Sequence, residues 1–210
     1  PAEGFGYRNR ALIPLRRAEN GSLRMGYFRR GSHRVVNLNR CPVVDPRLDA
    51  LIEPLKKDLD ASALPADHDL SSGDALRHLG LRIGHHTGEV LITLVSSSHW
   101  SALESMAQAW MTRFPQIRGV TLNLQPKRTN LVLGPTTQLL GGENSIRERF
   151  CDLTLQLATT TFFQINTLQA ERIVQCIGDW LLSHAPSDRV IDAYCGIGTI
   201  SLPLADRGLK

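Results

Sequence analysis

One stretch near residue 200 is the most informative about the fold and reads Val190-Ile191-Asp192-Ala193-Tyr194-Cys195-Gly196-Ile197-Gly198-Thr199. An apolar, β-rich run that carries one acid leads into a Gly-x-Gly loop, and a helical pattern follows over residues 199–205. Glycines let the backbone turn tightly and approach a ligand closely. Open α/β sheets bind nucleotide-like ligands at such a loop between strand and helix, although tight turns also use glycine for purely steric reasons.

The segments around this loop predict two units of fold. A helical pattern over residues 167 to about 184 and a break at residues 185–188 lead into the strand. The order helix, strand, glycine loop, helix is the entry into a doubly wound α/β domain, whereas hairpins and helices alternate upstream without βαβ units. We therefore expect an α+β central domain over residues 1–160, followed by the first part of a class I (Rossmann-like) α/β domain over residues 161–210.

Local signals predict the elements of the upstream part. Asn20-Gly21 between two apolar runs predicts a hairpin, and a third strand is expected at residues 34–38. Asp45 is placed to cap one helix, and Ser101 begins a capping box for a second. Further strands are expected at residues 78–83, 89–95, 120–124 and 153–157, with His85-His86 at a solvated turn between the first two of these.

Positive charge is concentrated at the start of the chain. The net charge is +4, from 24 basic and 20 acidic residues. The first 40 residues hold nine arginines and two acids, Glu3 and Glu19, which gives 9 − 2 = +7 and leaves −3 for the rest. Arginine suits phosphate oxygens and stacks on bases, so this segment predicts contact with nucleic acid, or else a solvated hairpin face. The nine are Arg8, Arg10, Arg16, Arg17, Arg24, Arg29, Arg30, Arg34 and Arg40.

Bulk properties exclude several classes of protein. No apolar run approaches the roughly 20 residues of a membrane span, and no secretory signal opens the chain. The four cysteines contain no Cys-x-x-Cys pair, which argues against a disulfide framework and a self-contained zinc site. We expect a cytoplasmic monomer. Because the chain starts at Pro1 and stops at Lys210, soon after the glycine loop, we also expect a piece of a longer protein, cut at both ends.

The glycine loop discriminates between nucleotide-like ligands. A dinucleotide fingerprint requires a third glycine three positions after Gly198, where Ser201 stands, and a Walker A motif is absent. What remains is an acid at a strand end followed by Gly-x-Gly, a pattern similar to that of S-adenosylmethionine-dependent methyltransferases. An ordinary dehydrogenase-type domain is disfavoured by the missing glycine.

Three stretches together resemble one family, the RNA 5-methyluridine (uracil-C5) methyltransferases, and are closest to the enzymes of 23S ribosomal RNA. The first is the glycine-loop stretch, extended to Ala205. The second is Phe162-Phe163-Gln164-Ile165-Asn166, similar to the Phe-x-Gln-x-Asn element of the family's domain junction. The third is Tyr7-Arg8-Asn9-Arg10 with Arg40-Cys41-Pro42-Val43. The resemblance covers nearly the whole chain and implies that the α/β part is a methyltransferase domain.

The resemblance also implies site residues. Gln164 matches a glutamine at the pocket for cofactor and target base, and Tyr194 and Thr199 match cofactor-contacting positions. With Asp192, Gly196 and Gly198 they form the predicted S-adenosylmethionine site. The implied partner is RNA, 23S ribosomal RNA in particular.

Cys41 matches the fourth ligand of a [4Fe–4S] cluster in the ribosomal branch. The family's other three ligands come from a cysteine-rich run that would precede Pro1, and four thiolates normally hold such a cluster. We therefore expect the cluster in the longer protein, and not in this chain alone.

The reaction implied by the resemblance is methylation of uracil at C5. A cysteine thiolate adds to C6, C5 then takes the methyl group, a base removes the C5 proton, and the cysteine leaves. The family's nucleophile lies well downstream of the glycine loop, so no catalytic residue is expected in this chain and we expect it to be inactive as it stands. Cys195 is expected to serve packing. The alternative is a non-catalytic RNA-binding module that uses the basic first 40 residues.

Overall fold

The computed structural model describes residues 4–32, 34–71, 73–184 and 189–209, so the break predicted at 185–188 lies outside the described residues. The elements follow in the order β1 (Arg10–Arg17), β2 (Leu23–Met25), α1 (Pro46–Ala61), β3 (Leu76–Ile83), β4 (Val90–Ser96), α2 (Ala102–Arg113), β5 (Ile117–Leu124), β6 (Thr136–Gly142), β7 (Ser145–Phe150), β8 (Leu153–Ala158), α3 (Thr167–His184) and α4 (Ser201–Asp206).

Six strands form one mixed sheet in the order β2-β1-β3-β4-β5-β6. Only the β4–β5 pair within this sheet is parallel, because α2 carries the chain across between them. The strands β7 and β8 form a separate antiparallel hairpin. Every residue of β3 and β4 is buried, as expected of central strands that are covered on both faces.

Two hydrophobic clusters cover the two faces of the sheet. Val90 and Ile92 of β4 join the larger cluster, to which α1 and α2 also contribute. Leu91 points to the opposite face and joins a smaller cluster, because neighbouring side chains on a strand alternate. The remaining buried members of the smaller cluster come from β7, β8, the segment after β8, and α3: Ile146, Phe150, Leu155, Leu157, Phe163, Ala170 and Val174.

Most predicted elements are present. The Asn20-Gly21 hairpin joins β1 and β2, and the Asp45 side chain caps α1 by accepting a hydrogen bond from the Arg47 N–H at 2.9 Å. The capping box at Ser101 is wrong, since its side chain makes no capping hydrogen bond. The third strand expected at residues 34–38 is also wrong, since Val35 forms only an isolated bridge with Phe28, although the Val36 and Leu38 N–H groups donate to the carbonyls of Tyr27 and Met25 at 2.8 Å each.

The strand expected before the glycine loop is not formed in the described part of the chain, where residues 189–192 have no regular structure and residue 193 lies in a turn. A β-strand requires a ladder of hydrogen bonds to a neighbour, and no described strand lies beside this segment. The predicted boundary at residue 160 stays a prediction. The smaller cluster contains Leu157 before that position and Phe163 after it, so apolar packing continues across it.

Candidate cofactor loop and nucleic-acid interface

The glycine loop has the backbone geometry that its sequence predicts. Gly196 and Gly198 have φ values of +57° and +80°, in the left-handed region that favours glycine. The Gly198 N–H donates to the Cys195 carbonyl at 2.9 Å and closes the turn. A Cβ at Gly198 would lie 2.7 Å from Cγ of Leu202, whereas a Cβ at Gly196 would meet nothing within 4 Å. The backbone at Gly196 therefore borders open space that a ligand could occupy.

The Asp192 carboxylate stabilises this loop through a hydrogen bond. Its Oδ2 accepts a hydrogen bond from the backbone N–H of Ser201, the first residue of α4, at 3.2 Å. An acid at this point satisfies one of the free N–H groups with which a helix begins. Asp192 and Thr199 are both half-buried. The carboxylate thus holds the strand end and the following helix in a fixed relation.

Tyr194 is the most unusual residue of the loop. It has a φ of +66°, uncommon for a residue with a side chain, and its side chain is fully exposed at 103%. Backbone strain of this kind is concentrated at binding sites. Cys195 is also exposed, so the expectation that it serves packing is wrong.

Gln164 lies in the irregular segment between β8 and α3. Its side chain is exposed and makes no hydrogen bond among the described residues, while its neighbour Phe163 is 4% exposed and anchored in the smaller cluster. Ile197 of the glycine loop packs against that same cluster. The Gln164 segment and the glycine loop, 30 positions apart in the chain, therefore pack against the same hydrophobic cluster.

Three residues hold the Gln164 segment through contacts that sequence patterns did not predict. The Asn9 side chain donates to the Gln164 carbonyl at 2.8 Å and to Thr167 Oγ1 at 2.9 Å. Arg10 and Arg82, paired across β1 and β3, donate to the carbonyls of Thr159 and Thr161 at 3.3 and 2.6 Å. Burial and the charge of Arg10 lower the pKa of Arg82 to about 9. No described carboxylate forms an ion pair with either guanidinium.

Glu148 is another polar residue whose role the sequence did not reveal. It is fully buried and accepts hydrogen bonds from the backbone N–H groups of His85 and His86 at 2.6 and 3.0 Å. The His86 ring also contacts Glu171 at 3.1 Å. The turn predicted to be solvated is therefore docked onto β7 and α3. Such a buried carboxylate is stable only when hydrogen-bonded, and these two N–H donors lie 63 and 62 positions away in the chain.

The segment around Tyr7–Arg10 lies beside the Arg40–Val43 segment, which contains Cys41. The Gly6 and Arg8 N–H groups donate to the carbonyls of Pro42 and Val43 at 2.8 and 2.9 Å. Cys41 is buried in the larger cluster. Among residues 4–32, 34–71, 73–184 and 189–209, no group of three or more His, Cys, Asp or Glu side chains could hold a metal ion. One buried thiol does not fit a [4Fe–4S] cluster, which takes four, so the predicted cluster lacks support.

The arginines near the start of the chain form a surface with free positive charge. Within the part of the chain that the structure describes, the arginine surface consists of five exposed arginines that form no ion pair: Arg16, Arg24, Arg29, Arg30 and Arg34. Arg24 and Arg34 line two open clefts of about 450 and 680 Å³ beside the β1–β2 hairpin. Arg17 and Arg40 are instead paired with Asp60 and Asp49. Unpaired guanidinium groups beside a cleft are suited to phosphate oxygens.

Comparison with solved structures identifies the class of fold. The chain superimposes with a TM-score of 0.74 on a Pyrococcus abyssi tRNA (uracil-54, C5)-methyltransferase crystallised with S-adenosyl-L-homocysteine, at 22% identity, over 99% of this chain and 48% of that one. The predicted fold, an α+β part followed by the start of a Rossmann-like methyltransferase domain, is thereby confirmed. No helix among the described residues is long and apolar enough to cross a membrane.

Sequence comparison then identifies the family. The chain is 69% identical over 205 residues to a protein of Parasynechococcus marenigrum named an uncharacterized RNA methyltransferase. It is 44% identical over 205 residues to one of the same description in Nostoc sp.. The two matches cover 98% and 97% of this chain but only 44% of the length of each relative. No family model matches the chain. As predicted, the chain belongs to a family of proteins named RNA methyltransferases, and its fold is similar to that of a tRNA uracil-C5 methyltransferase.

Proposed function

We propose that the protein to which this chain belongs methylates C5 of a uridine in RNA, with S-adenosylmethionine as methyl donor. The observation that carries the proposal is the common support of the Gln164 segment and the glycine loop, since Phe163 and Ile197 pack against one cluster. The names of the relatives and of the Pyrococcus abyssi enzyme agree with this activity.

The cofactor site that we propose consists of Gln164, Asp192, Tyr194, Gly196, Gly198 and Thr199. The open space at Gly196 lets backbone N–H groups approach a ligand without a side chain between them. Asp192 fixes the loop through Ser201. When bound, S-adenosylmethionine supplies an electrophilic methyl group on a sulfonium centre. The residues of this chain orient it, and the exposed Gln164 amide can both donate and accept hydrogen bonds at the edge of a base.

The RNA substrate is bound, in this proposal, by the arginine surface defined above. Its five guanidinium groups need not break an ion pair before they engage phosphates. We further propose the covalent route for the base, in which a cysteine thiolate adds to C6, C5 takes the methyl group, and loss of the C5 proton expels the thiolate. We place that nucleophile outside the residues described above. The resemblance of the Tyr7–Arg10 and Arg40–Val43 segments favours 23S ribosomal RNA as substrate.

The test uses the full-length protein, methyl-labelled S-adenosylmethionine and ribosomal or transfer RNA transcripts, with digestion of the product to nucleosides and mass spectrometry. We expect 5-methyluridine, and we expect Gln164→Ala to lower kcat/KM by about 100-fold if the amide acts on the reacting base. Gln156→Ala, which alters an exposed glutamine of β8, is the matched control and should retain activity within about twofold of wild type, as expected of a surface substitution.

Transfer of the label to another base or to the ribose would overturn the assignment to C5. The rival function, a non-catalytic RNA-binding module, is favoured by the unpaired arginines. It would be established by salt-sensitive RNA binding together with no binding of S-adenosylmethionine in calorimetry.

A further inference from the structure

The segment that carries Gln164 has no regular structure of its own. Residues 159–166 lie between the end of β8 and the start of α3. Backbone carbonyls in such a segment must find partners elsewhere. Four of them, those of Thr159, Thr161, Gln164 and Ile165, accept hydrogen bonds from three residues at the β1–β3 edge: Asn9, Arg10 and Arg82.

Asn9 is the centre of this arrangement. Its backbone N–H donates to the Ile165 carbonyl at 2.9 Å, while its side-chain amide reaches Gln164 and Thr167. Its carbonyl accepts from the Ile83 N–H at 2.9 Å and so fixes Asn9 to the end of β3. The residue is only 4% exposed. Asn9 therefore binds the carbonyls of Gln164 and Ile165, the first through its side chain and the second through its backbone N–H.

We propose that Asn9 is a positioning residue for Gln164, holding the Gln164 backbone so that its side chain points into the pocket for cofactor and base. This inference rests on the proposed function. Asn9 itself touches neither ligand. It acts by fixing the carbonyl of Gln164 against strand β1, whose far end, at Arg16 and Arg17, adjoins the arginine surface. The RNA-binding strand and the pocket residue thereby share one rigid element.

Asn9→Ala in the full-length protein tests this role. Displacement of a reacting group by about 1 Å costs up to about 100-fold in rate, so we expect kcat to fall by about 10- to 100-fold. The KM for RNA should stay within about threefold, because the arginine surface is untouched. A retained kcat in a folded Asn9→Ala protein would overturn the proposal.

Asn123→Ala is the matched control. Asn123 is also a buried asparagine whose side chain holds an irregular segment, through the Gly134 carbonyl at 3.1 Å and the Gly134 N–H at 2.7 Å. That segment leads into β6 and carries no proposed site residue. Both variants should lower the melting temperature, but only Asn9→Ala should lower kcat. Equal losses of kcat in both would reduce Asn9 to a structural role and overturn the proposal.

A double variant identifies the route of the effect. If Asn9 acts through Gln164, then Asn9→Ala in a Gln164→Ala background should reduce kcat by less than about threefold further. Fully multiplicative losses would overturn the proposal. Should Asn9→Ala not fold, Asn9→Asp keeps the size but cannot donate to the Gln164 carbonyl, and the same loss of kcat is expected. Absence of uridine methylation in the wild type would instead refute the proposed function.

Discussion

The arginine surface and the glycine loop differ in how far the described residues enclose them. Beneath the arginines, Leu15 and Met25 are completely buried in the larger cluster. Around the glycine loop, Ile191 is 94% exposed and Tyr194 fully exposed, and Trp180 of the preceding helix is 59% exposed. The arginine surface thus lies over a buried hydrophobic core, whereas the glycine loop packs against other described residues on one side only.

This difference follows from what each ligand requires. A phosphate backbone is bound by cations that project from a rigid scaffold into solvent. A small cofactor needs a cleft that buries most of its surface. Under the proposed function, the arginine surface presents the cations that the first kind of binding needs, and the glycine loop forms one side of the cleft that the second kind needs.

The largest expected effect would come from the glycine loop. Gly198→Val places a β-branched residue at a φ of +80° and drives its Cβ against Leu202. We expect the dissociation constant for S-adenosylmethionine in the full-length protein to rise about 100-fold, equivalent to about 2.8 kcal/mol. Gly208→Val introduces a similarly strained φ of +91° after α4, with open space around the Cβ. Calorimetry should find its affinity unchanged, and an equal loss would mean that strain alone is responsible.

A smaller effect concerns stability beneath the arginine surface. Burial lowers the pKa of His78, which pairs with Pro14 of β1, to about 3 from 6.5, and His68 adds to the shift. The unfolded chain therefore takes up a proton first as the pH falls. The contribution of neutral His78 is complete above pH 6.5 and is lost progressively down to pH 3. Between pH 6.5 and 5 this amounts to about 2 kcal/mol of unfolding free energy.

Urea denaturation at both pH values measures that loss. His78→Gln should lose less stability than the wild type over the same interval, because carboxylate protonation affects both equally. The difference should persist with or without cofactor if the core under the arginines is independent of the glycine loop. Parallel pH profiles for the two proteins would contradict the assignment to His78.

The smallest expected effect is on RNA affinity. Removing two phosphate contacts with Arg24→Ala and Arg34→Ala should weaken binding by about tenfold and reduce the salt slope by about 1.4 for single-stranded RNA. Arg113→Ala with Arg118→Ala removes the same charge from residues paired with Asp58 and Glu143. Fluorescence anisotropy at several salt concentrations compares the two. If both pairs changed the slope equally, net charge rather than the arginine surface would bind RNA.

Sequence patterns predicted the elements whose signals are local. The hairpin at Asn20-Gly21 and the cap at Asp45 depend on a few adjacent residues, and both are present. Strand β6 was missed because its sequence has no alternating apolar pattern. None of its residues is fully buried, which agrees with that sequence. The strand at residues 190–193 was predicted from composition, yet pairing depends on a neighbour that composition cannot supply.

The candidate site was predicted unevenly for the same reason. The glycines that need a positive φ lie close together in one short stretch of the chain, where a sequence pattern can recognise them. Asn9 stands in a stretch that resembles the family, but its contacts, like those of Arg82 and Glu148, were not predicted, because the partners of a buried polar residue are brought near only by folding. Arg82 reaches Thr161, 79 positions away, and Glu148 reaches His85, 63 positions away.

The hydrogen bond between Asn9 and Thr167 spans 158 positions of the chain. During synthesis at about 5–20 residues per second, Thr167 emerges roughly 8–30 s after Asn9. Once β3 has been synthesised, β1 must therefore keep its register on β3 until Thr167 emerges. A slip by one residue would turn the Asn9 side chain to the other face. If Asn9 positions Gln164 as proposed, the orientation of Gln164 depends on a strand pairing whose residues are synthesised well before Gln164 itself.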